Sequence, residues 1–328
     1  MMDKAKIEIS IPKKIFKVFD IFEHEGIEVY LVGGTVREIL RGFTQGLNDF
    51  DFATPTSVEE TGRILRKAGM RPIPIGKAFG TVATIIDGVR ADITTFRCRE
   101  EYQSGSRHPQ VDFGGTIEDD LQRRDFCMNA IAMTRSGELI DPYDGAKDIQ
   151  NKRISVPGDP ARIFSDDPLR LLRAARFISQ LGYTVVPSVK KTARKMAFLI
   201  TAVSRERWKM EMDRLLMGDH VHKGLEYLLE SDLLTFMMPE MTVLKGFMRP
   251  GEITVANVGE KGGSRWGLKL WITRKWEIDV AYYAGARMKF RDEIGGQPWR
   301  HQARKREMMY QVRPPRNARV PMTLKYIF

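Results

Sequence analysis

The segment NDFDFAT (48–54) places two carboxylates, Asp49 and Asp51, two residues apart in an otherwise apolar stretch. Alternation along a β-strand would put both on one face. Two like charges there are unfavourable unless a cation lies between them. A hard divalent ion such as Mg²⁺ would satisfy both, because it prefers oxygen ligands. The alternative is a loop with two solvated acids, and the pair taken alone favours that loop.

A glycine pair precedes the two acids. The apolar run that begins at Ile27 ends in Gly33 and Gly34, and a helical pattern follows with Arg37 in its first turn. A strand, a glycine turn and a helix allow the backbone to approach a phosphate group. The arginine would add a charge-assisted contact. Followed by the acidic pair, this order predicts a nucleotide bound by its phosphates over a metal site.

Five blocks of the chain resemble, in order, the motifs of class II tRNA nucleotidyltransferases and bacterial poly(A) polymerases, a branch of the DNA polymerase β-like nucleotidyltransferase superfamily. The blocks are LVGGTVREILRG with NDFDFAT, RRDFCMNAIAM (123–133), IDPYDG (140–145), DDPLRLLRAARF (166–177) and SRERWKMEMDRLL (204–216). The resemblance covers about residues 27–246. Two departures are visible: Glu38 stands where the family usually has aspartate, and the segment between Arg37 and Asp49 is slightly long.

The resemblance implies a fold, which is an α/β head with a small mixed sheet followed by an all-α neck and body. It also implies that Asp49 and Asp51 are catalytic and hold Mg²⁺ ions. In the head, the residues expected to bind the nucleotide are Gly33, Gly34, Arg37, Arg124, Asp125 and Asn129. Of these, Asp125 and Asn129 would hold the sugar. Asp92 is a candidate third acid near the metal ions, although a structural role is favoured for it.

The block DDPLRLLRAARF predicts a helix on which Asp167 and Arg170 lie side by side. On a protein surface such a pair would be a salt bridge of little consequence. In a nucleotide pocket it would read the base. Cytosine and adenine offer an amino donor beside a ring-nitrogen acceptor, whereas guanine and uracil offer the reverse. A carboxylate only accepts and a guanidinium only donates, so the pair would admit C and A and reject G and U. Arg173 and Arg176 follow at three-residue steps and are predicted to contact phosphates.

Shorter patterns predict the elements around these residues. Ser57 marks the start of an amphipathic helix that ends at Gly69. The Asp-Gly pair at 87–88 predicts a tight turn between two strands. The last two blocks have helical spacing. Arg207 and Glu211, four residues apart, are predicted to support the helix that reads the base.

The last quarter of the chain differs in composition. The whole chain has a net charge of +11, and residues 247–328 contain 17 Lys/Arg against 7 Asp/Glu and four of the five tryptophans. A basic, aromatic-rich segment is typical of a nucleic-acid backbone binder. A divergent or frame-shifted end would show the same abrupt change near residue 246. We therefore predict three domains: a nucleotidyltransferase head at 1–150, a helical neck and body with the base reader at 151–246, and this basic region at 247–328.

The spacing of the cysteines and the hydropathy of the chain indicate the expected cellular compartment. The two cysteines, Cys98 and Cys127, have neither disulfide-framework nor zinc-ligand spacing. A signal peptide and a membrane-spanning apolar run are both absent from the pattern. We therefore expect a reducing cytoplasm.

Two further segments favour one member of the family. IGKAFGTV (75–82) is closer to the tRNA enzymes than to the basic block of poly(A) polymerases, and REEYQSGSRHPQVDFGG (99–115) resembles the loop with which the family switches from C to A. We predict a tRNA nucleotidyltransferase that adds CCA to the tRNA 3′ end from CTP and ATP. The alternatives are an A-adding enzyme, a poly(A) polymerase, and a catalytically silent RNA-binding relative.

Overall fold

The computed structural model describes residues 13–43, 47, 49–76, 80–101 and 110–238, and five strands between 253 and 327. The chain forms two compact units, which are Met1–Ala174 with Tyr183–Ala202, and Ala175–Gly182 with Val203–Phe328. The domain boundaries near residues 150 and 246 stay predictions, because they rest on motif order rather than on compactness.

A seven-stranded mixed sheet lies in the first unit. In spatial order its strands are β3 (Ile73–Gly76), β4 (Thr81–Ile86), β5 (Val89–Thr95), β2 (Asp49–Thr54), β1 (Tyr30–Val32), β8 (Ala132–Met133) and β9 (Leu139–Ile140). Strands β2 and β5 pair in parallel, and the other neighbours in this sheet are antiparallel. Strands β6 (Arg97–Glu101) and β7 (Gln110–Phe113) form a separate antiparallel pair. The mixed sheet predicted for the head is confirmed.

Apolar side chains of the head helices hold the central strand in place. These helices are α1 (Lys13–His24), α2 (Gly34–Leu40), α3 (Val58–Lys67), α4 (Ile117–Gln122) and α5 (Gly145–Gln150). The Phe19 ring of α1 meets the Phe52 ring of β2 edge to face, with 5.5 Å between the ring centroids. Ile64 and Leu65 of α3 are also buried. Removal of this apolar surface from water stabilises the packing around β2.

The predicted cap and turn of the head are both confirmed. The Ser57 side chain accepts a hydrogen bond from the Glu60 backbone N–H at 3.2 Å, and α3 follows it directly. Gly69, just after that helix, has φ +72°. Asp87 and Gly88, between β4 and β5, have φ values of 49° and 79°. Two successive positive φ values are what a two-residue hairpin turn of type I′ requires.

The helical spacing predicted after the head is confirmed through residue 237. The helices are α6 (Pro160–Asp166), α7 (Leu169–Leu181), α8 (Pro187–Lys195), α9 (Arg205–Leu216), α10 (Val221–Glu230) and α11 (Leu233–Met237). A short parallel pair, β10 (Arg153–Ile154) with β11 (Thr184–Val185), lies in the first unit. In the second unit α10 approaches α7 closely, since a Cβ at Gly224 would lie 2.9 Å from the Ala175 carbonyl oxygen.

The sequence patterns predict no fold for the last quarter of the chain. The structure places five antiparallel strands there in chain order, namely β12 (Ile253–Gly259), β13 (Arg265–Ile272), β14 (Trp276–Tyr283), β15 (Glu307–Arg313) and β16 (Thr323–Ile327). Within the described part of the chain, no helix is both long and apolar enough to cross a lipid bilayer.

Candidate active site

Asp49 and Asp51 lie on the open face of β2. The strand alternates at its start, so that both aspartates are exposed while Phe50 and Phe52 are buried. The predicted strand is therefore confirmed, in place of the loop with two solvated acids. Because the phenylalanines are fixed in the core, they direct both carboxylates to the opposite face.

The parallel neighbour β5 adds a basic and an acidic side chain beside this pair. Arg90 is the register partner of Asp49, and Asp92 is that of Asp51. The Arg90 guanidinium donates to both Asp92 carboxylate oxygens, at 2.7 and 2.8 Å. The structural role favoured for Asp92 is consistent with this salt bridge and stays a prediction, while its charge lies next to Asp51. Sequence reasoning missed Arg90, because its position points to the site only once β5 is known to pair with β2.

The charges around Asp51 suit a cation. Desolvation raises the pKa of the Asp51 carboxyl, Arg124 opposes this, and the charges of Asp92 and Asp49 raise it further. A divalent ion would compensate two carboxylates that otherwise repel each other. No group of three or more His, Cys, Asp or Glu side chains forms a metal site among the described residues.

Gly33 forms the turn between β1 and α2. Its backbone has φ 70° and ψ −133°, a conformation that is essentially restricted to glycine. A Cβ at this position would lie 2.9 Å from Arg124 Nη1 and 3.9 Å from Asp51 Oδ2. The turn therefore brings backbone next to both groups. The Thr35 hydroxyl donates to the Asp49 carbonyl oxygen at 3.0 Å, which ties the start of α2 to β2.

We predict that Gly33→Ala will lower activity more than its backbone strain alone explains. The strain should cost roughly 1–3 kcal/mol of folding free energy. The added methyl group should also displace the Arg124 guanidinium and lower nucleotide addition by about a hundredfold. The control is Gly69→Ala, where φ is +72° and a Cβ would meet nothing within 4 Å. Steady-state kinetics and thermal unfolding of both variants check the prediction, and equal activity in the two would contradict it.

The predicted Arg124 and its neighbour Arg123 share one buried carboxylate. Asp120 is 1% exposed and accepts from Arg123 at 2.6 Å and from Arg124 at 2.8 Å. Burial alone would raise the pKa of Asp120, but Arg124 and Arg123 overcome it and lower the value to about 2. The ionised carboxylate thus fixes the guanidinium that lies beside Gly33. Asp120 was missed by sequence reasoning. It lies four residues before Arg124, and this helical spacing is the signal that could have revealed it.

Asp125 and Asn129 lie side by side, as the sugar-binding prediction requires. The Asn129 side-chain amide donates to Asp125 Oδ1 at 2.9 Å, and Arg173 Nε donates to Asp125 Oδ2 at 2.8 Å. Burial would raise the pKa of Asp125, but Arg173 and the Asn129 amide hold it well below its usual range. Arg37 Nη1 donates to Asn129 Oδ1. These hydrogen bonds connect three of the predicted motifs. Arg37 comes from the glycine-turn motif, Asp125 and Asn129 from the block at 123–133, and Arg173 from the block at 166–177.

The predicted base reader is buried, but its geometry differs from the prediction. Asp167 has φ −142° and ψ 100° and precedes the helix, because a residue before proline disfavours helical conformation. Its Oδ1 accepts from the Leu169 N–H at 3.1 Å. Arg170 donates to the carbonyl oxygens of Ile163 and Arg123, at 3.1 and 2.6 Å. Asp167 is thus held by the turn before α7, whereas Arg170, within α7, is held by carbonyl oxygens of α6 and of the residue that follows α4.

Arg176 lies on α7, three residues after Arg173. It belongs to the second unit, is 8% exposed, and its Nε lies 2.6 Å from Glu211 Oε2. Its guanidinium carbon also lies 4.0 Å from the centre of the Phe177 ring. The structure thus pairs this guanidinium with Glu211, and the predicted contact of Arg176 with a phosphate stays a prediction. The supporting role predicted for Glu211 agrees with this ion pair, and that of Arg207 stays a prediction.

The predicted switching loop, 99–115, contains most of β6 and all of β7. Residues 102–109, between these strands, lie outside the described residues. Phe113 at the end of β7 packs on Gly80, where a Cβ would lie 2.3 Å from the ring. The part of the loop that the structure describes is thus attached to the head next to β4.

Two family models match the chain. Residues 29–155 match the poly A polymerase head domain, and residues 182–244 match the probable RNA and SrmB-binding site of polymerase A. The CCA-adding enzyme of Anoxybacillus flavithermus is 36% identical over 233 residues, covering 71% of this chain and 57% of the relative. That of Geobacillus sp. is 35% identical over 260 residues, covering 79% and 63%. The chain belongs to this family of nucleotidyltransferases.

Solved structures agree with this membership. The Bacillus stearothermophilus CCA-adding enzyme in complex with CTP is 34% identical with a TM-score of 0.60, covering 68% of this chain and 53% of that one. A tRNA nucleotidyltransferase complexed with primer tRNA and an incoming ATP analog is 28% identical with a TM-score of 0.56, covering 67% and 62%. The chain thus spans 57% and 63% of the length of the two curated relatives. Membership in this family of nucleotidyltransferases implies use of a divalent metal ion.

Proposed function

We propose that this chain adds C, C and A to the 3′ end of tRNA from CTP and ATP, without a nucleic-acid template. The observation that carries the proposal is the exposed pair Asp49 and Asp51, placed beside the Gly33 turn and Arg124. This pair lies in the part of the chain that matches the poly A polymerase head domain. Relatives include one solved with CTP and one solved with primer tRNA and an ATP analog.

The reaction would join the tRNA 3′-hydroxyl oxygen to the α-phosphorus of the nucleotide and release pyrophosphate. Asp49 and Asp51 would hold Mg²⁺, the ion we propose for this site. When bound, it would promote ionisation of the hydroxyl and offset charge on the leaving group. Gly33 and Gly34 would bring backbone to the triphosphate, and Arg37 and Arg124 would supply positive charge to it.

The sugar and the base would be held by buried groups. Asp125 and Asn129 would orient the ribose, with Arg173 fixing the carboxylate of Asp125. Asp167 is 8% exposed and Arg170 is 9% exposed, so a base that meets them would be largely shielded from water. In such a pocket a mismatched carbonyl or ring N–H would be left unpaired, which is costly. C and A would therefore be admitted over G and U.

The test is single-nucleotide extension of three tRNA substrates, lacking A, CA or CCA at the 3′ end. The full chain is incubated with Mg²⁺ and one nucleoside triphosphate at a time, and products are resolved on a gel. We expect two C additions on the CCA-less tRNA, one C on the CA-less tRNA, and one A on the tRNA that ends in CC. UTP and GTP should give no comparable product.

Each alternative has its own outcome in this assay. Addition of A to a CC end, without C addition to the shorter tRNAs, would indicate an A-adding enzyme. Long A tracts on unrelated RNA would indicate a poly(A) polymerase. tRNA binding without incorporation of any nucleotide would indicate a silent RNA-binding relative.

We further propose that residues 247–328 contact the phosphate backbone of tRNA through their excess of basic residues. Truncation after Gly246 should weaken tRNA binding and flatten the dependence of log affinity on log salt concentration, because fewer counterions are released. Filter binding at several salt concentrations, with the full chain as control, measures this slope. An identical slope in both proteins would contradict a role for the segment in binding.

A further inference from the structure

Glu38 lies between two arginines on α2. Its Oε1 accepts from Arg37 Nε at 2.9 Å, and its Oε2 accepts from Arg41 Nη1 at 2.6 Å. Each carboxylate oxygen is thus committed to a different guanidinium. Arg41 is held from its other side by aromatic rings, since its guanidinium carbon lies 4.9 Å from the centre of Phe43 and 5.9 Å from that of Tyr183. Arg41, which contacts these two rings, therefore helps to fix the position of the Glu38 carboxylate.

The contacts continue from Arg37 into the proposed sugar site. Arg37 uses its Nε for Glu38 and its Nη1 for the Asn129 side-chain carbonyl. Asn129 then donates its amide to Asp125 at 2.9 Å. An amide whose oxygen is occupied by a guanidinium must point its nitrogen the other way. Arg37 thus fixes the orientation of the Asn129 amide, and Glu38 fixes Arg37.

The length of the side chain at position 38 matters for this arrangement. Neighbouring residues of a helix do not face each other, whereas residues three apart do. The side chains of Arg37 and Arg41 leave the helix in different directions. A carboxylate that contacts both must therefore extend far enough from the backbone to lie between the two guanidinium groups. Glutamate is one methylene longer than aspartate, so an aspartate at this position would reach less far. Both Arg37 and Glu38 are largely shielded, with side-chain exposures of 12% and 23%.

We infer that Glu38 is a positioning residue that sets the preference of this site for a ribose over a deoxyribose. The inference rests on the proposed function, in which Asp125 and Asn129 hold the sugar. When the carboxylate is lost, Arg37 loses one of the contacts that direct it, and the Asn129 side-chain carbonyl is held less firmly. The contact with the 2′-hydroxyl then weakens, while contacts with the phosphates and the base remain.

The test compares kcat/KM for CTP with that for dCTP in the full chain and in Glu38→Gln. Glutamine has the same shape but only one accepting oxygen, and its amide nitrogen would face a guanidinium. We expect kcat/KM for CTP to fall about tenfold and that for dCTP to change much less, so that the selectivity ratio falls. The matched control is Glu60→Gln on α3, since Glu60 likewise pairs with an arginine three residues on, at 2.7 Å. This control should leave the ratio unchanged.

The outcomes separate this inference from the proposed function. A wild-type protein that incorporates neither CTP nor ATP would overturn the proposed function itself. Normal wild-type activity with an unchanged ratio in Glu38→Gln would overturn only the inference, even if the variant melts at a lower temperature. If Glu38→Gln does not fold, Glu38→Asp takes its place, because it keeps the charge and loses reach. Its ratio should also fall, and an unchanged ratio would overturn the inference.

Discussion

Asp51→Asn should reduce nucleotide addition by roughly a thousandfold or more, because the proposed mechanism assigns this carboxylate to a metal ion, and its loss would remove several kcal/mol of transition-state stabilisation. Asp49→Asn should have an effect of the same order. Both side chains are exposed on β2 while the strand is anchored by Phe50 and Phe52, so neither change should disturb folding. tRNA binding should remain nearly intact, since the proposed function gives the carboxylates a role in the chemical step rather than in docking. Steady-state extension of a tRNA that ends in CC measures the effect.

The matched control for this result is Asp87→Asn. Asp87 is an exposed aspartate of the same sheet, in the turn after β4, and its φ of 49° is one that asparagine tolerates. Its activity should equal that of the wild type. Activity of Asp51→Asn or Asp49→Asn within about tenfold of the wild type, beyond the assay error that this control defines, would show that the metal site lies elsewhere.

Asp120→Asn should lower the free energy of unfolding by about 3 kcal/mol, because removal of one partner from a buried ion pair leaves the remaining charges uncompensated. Two guanidinium groups depend on this carboxylate, those of Arg123 and Arg124. Arg124 lies beside Gly33 and Asp51, so activity should fall together with stability. Chemical denaturation and tRNA extension measure the two effects. The control is Asp20→Asn, which removes an exposed carboxylate that pairs with Arg135 and should change neither quantity measurably.

The stability difference between wild type and Asp120→Asn should depend on pH. The pKa of Asp120 is lowered from 3.8 to about 2 in the folded protein. A lowered pKa contributes stability that is fully present above the unfolded value, and this contribution is lost as the pH falls through the folded value. The difference should therefore be constant above about pH 5 and shrink by roughly 2.5 kcal/mol between pH 5 and pH 1. A difference that does not change over this range would contradict the role of the buried charge.

Local patterns in the sequence were sufficient for the elements that carry the site. The alternation in NDFDFAT predicted a strand with both aspartates on one face, because Phe50 and Phe52 can be buried only if the intervening side chains point away. Ser57 predicted the start of α3, and the Asp-Gly pair at 87–88 predicted the hairpin turn. In each case the physical cause acts over a few residues, through burial, a cap or a permitted backbone angle.

Contacts between distant segments were decided by the tertiary structure. Arg90 and Asp92 lie beside the acidic pair because β5 pairs with β2 in parallel, and nothing in either strand alone specifies that pairing. The ion pair between Arg176 and Glu211 likewise depends on the packing of α7 against α9, which the spacing of Arg176 from Arg173 does not reveal.

The sequence by itself determined least about the partners of the arginine side chains. Their type and spacing established an excess of positive charge near a predicted nucleotide, and this much follows from composition and helical geometry. Their long side chains can reach partners in several directions, so the choice of partner depends on which carboxylates the fold brings near. Arg173 reaches Asp125, 48 residues away in the chain, and Arg37 reaches Asn129, 92 residues away. Only the packing of these segments places those acceptors within reach.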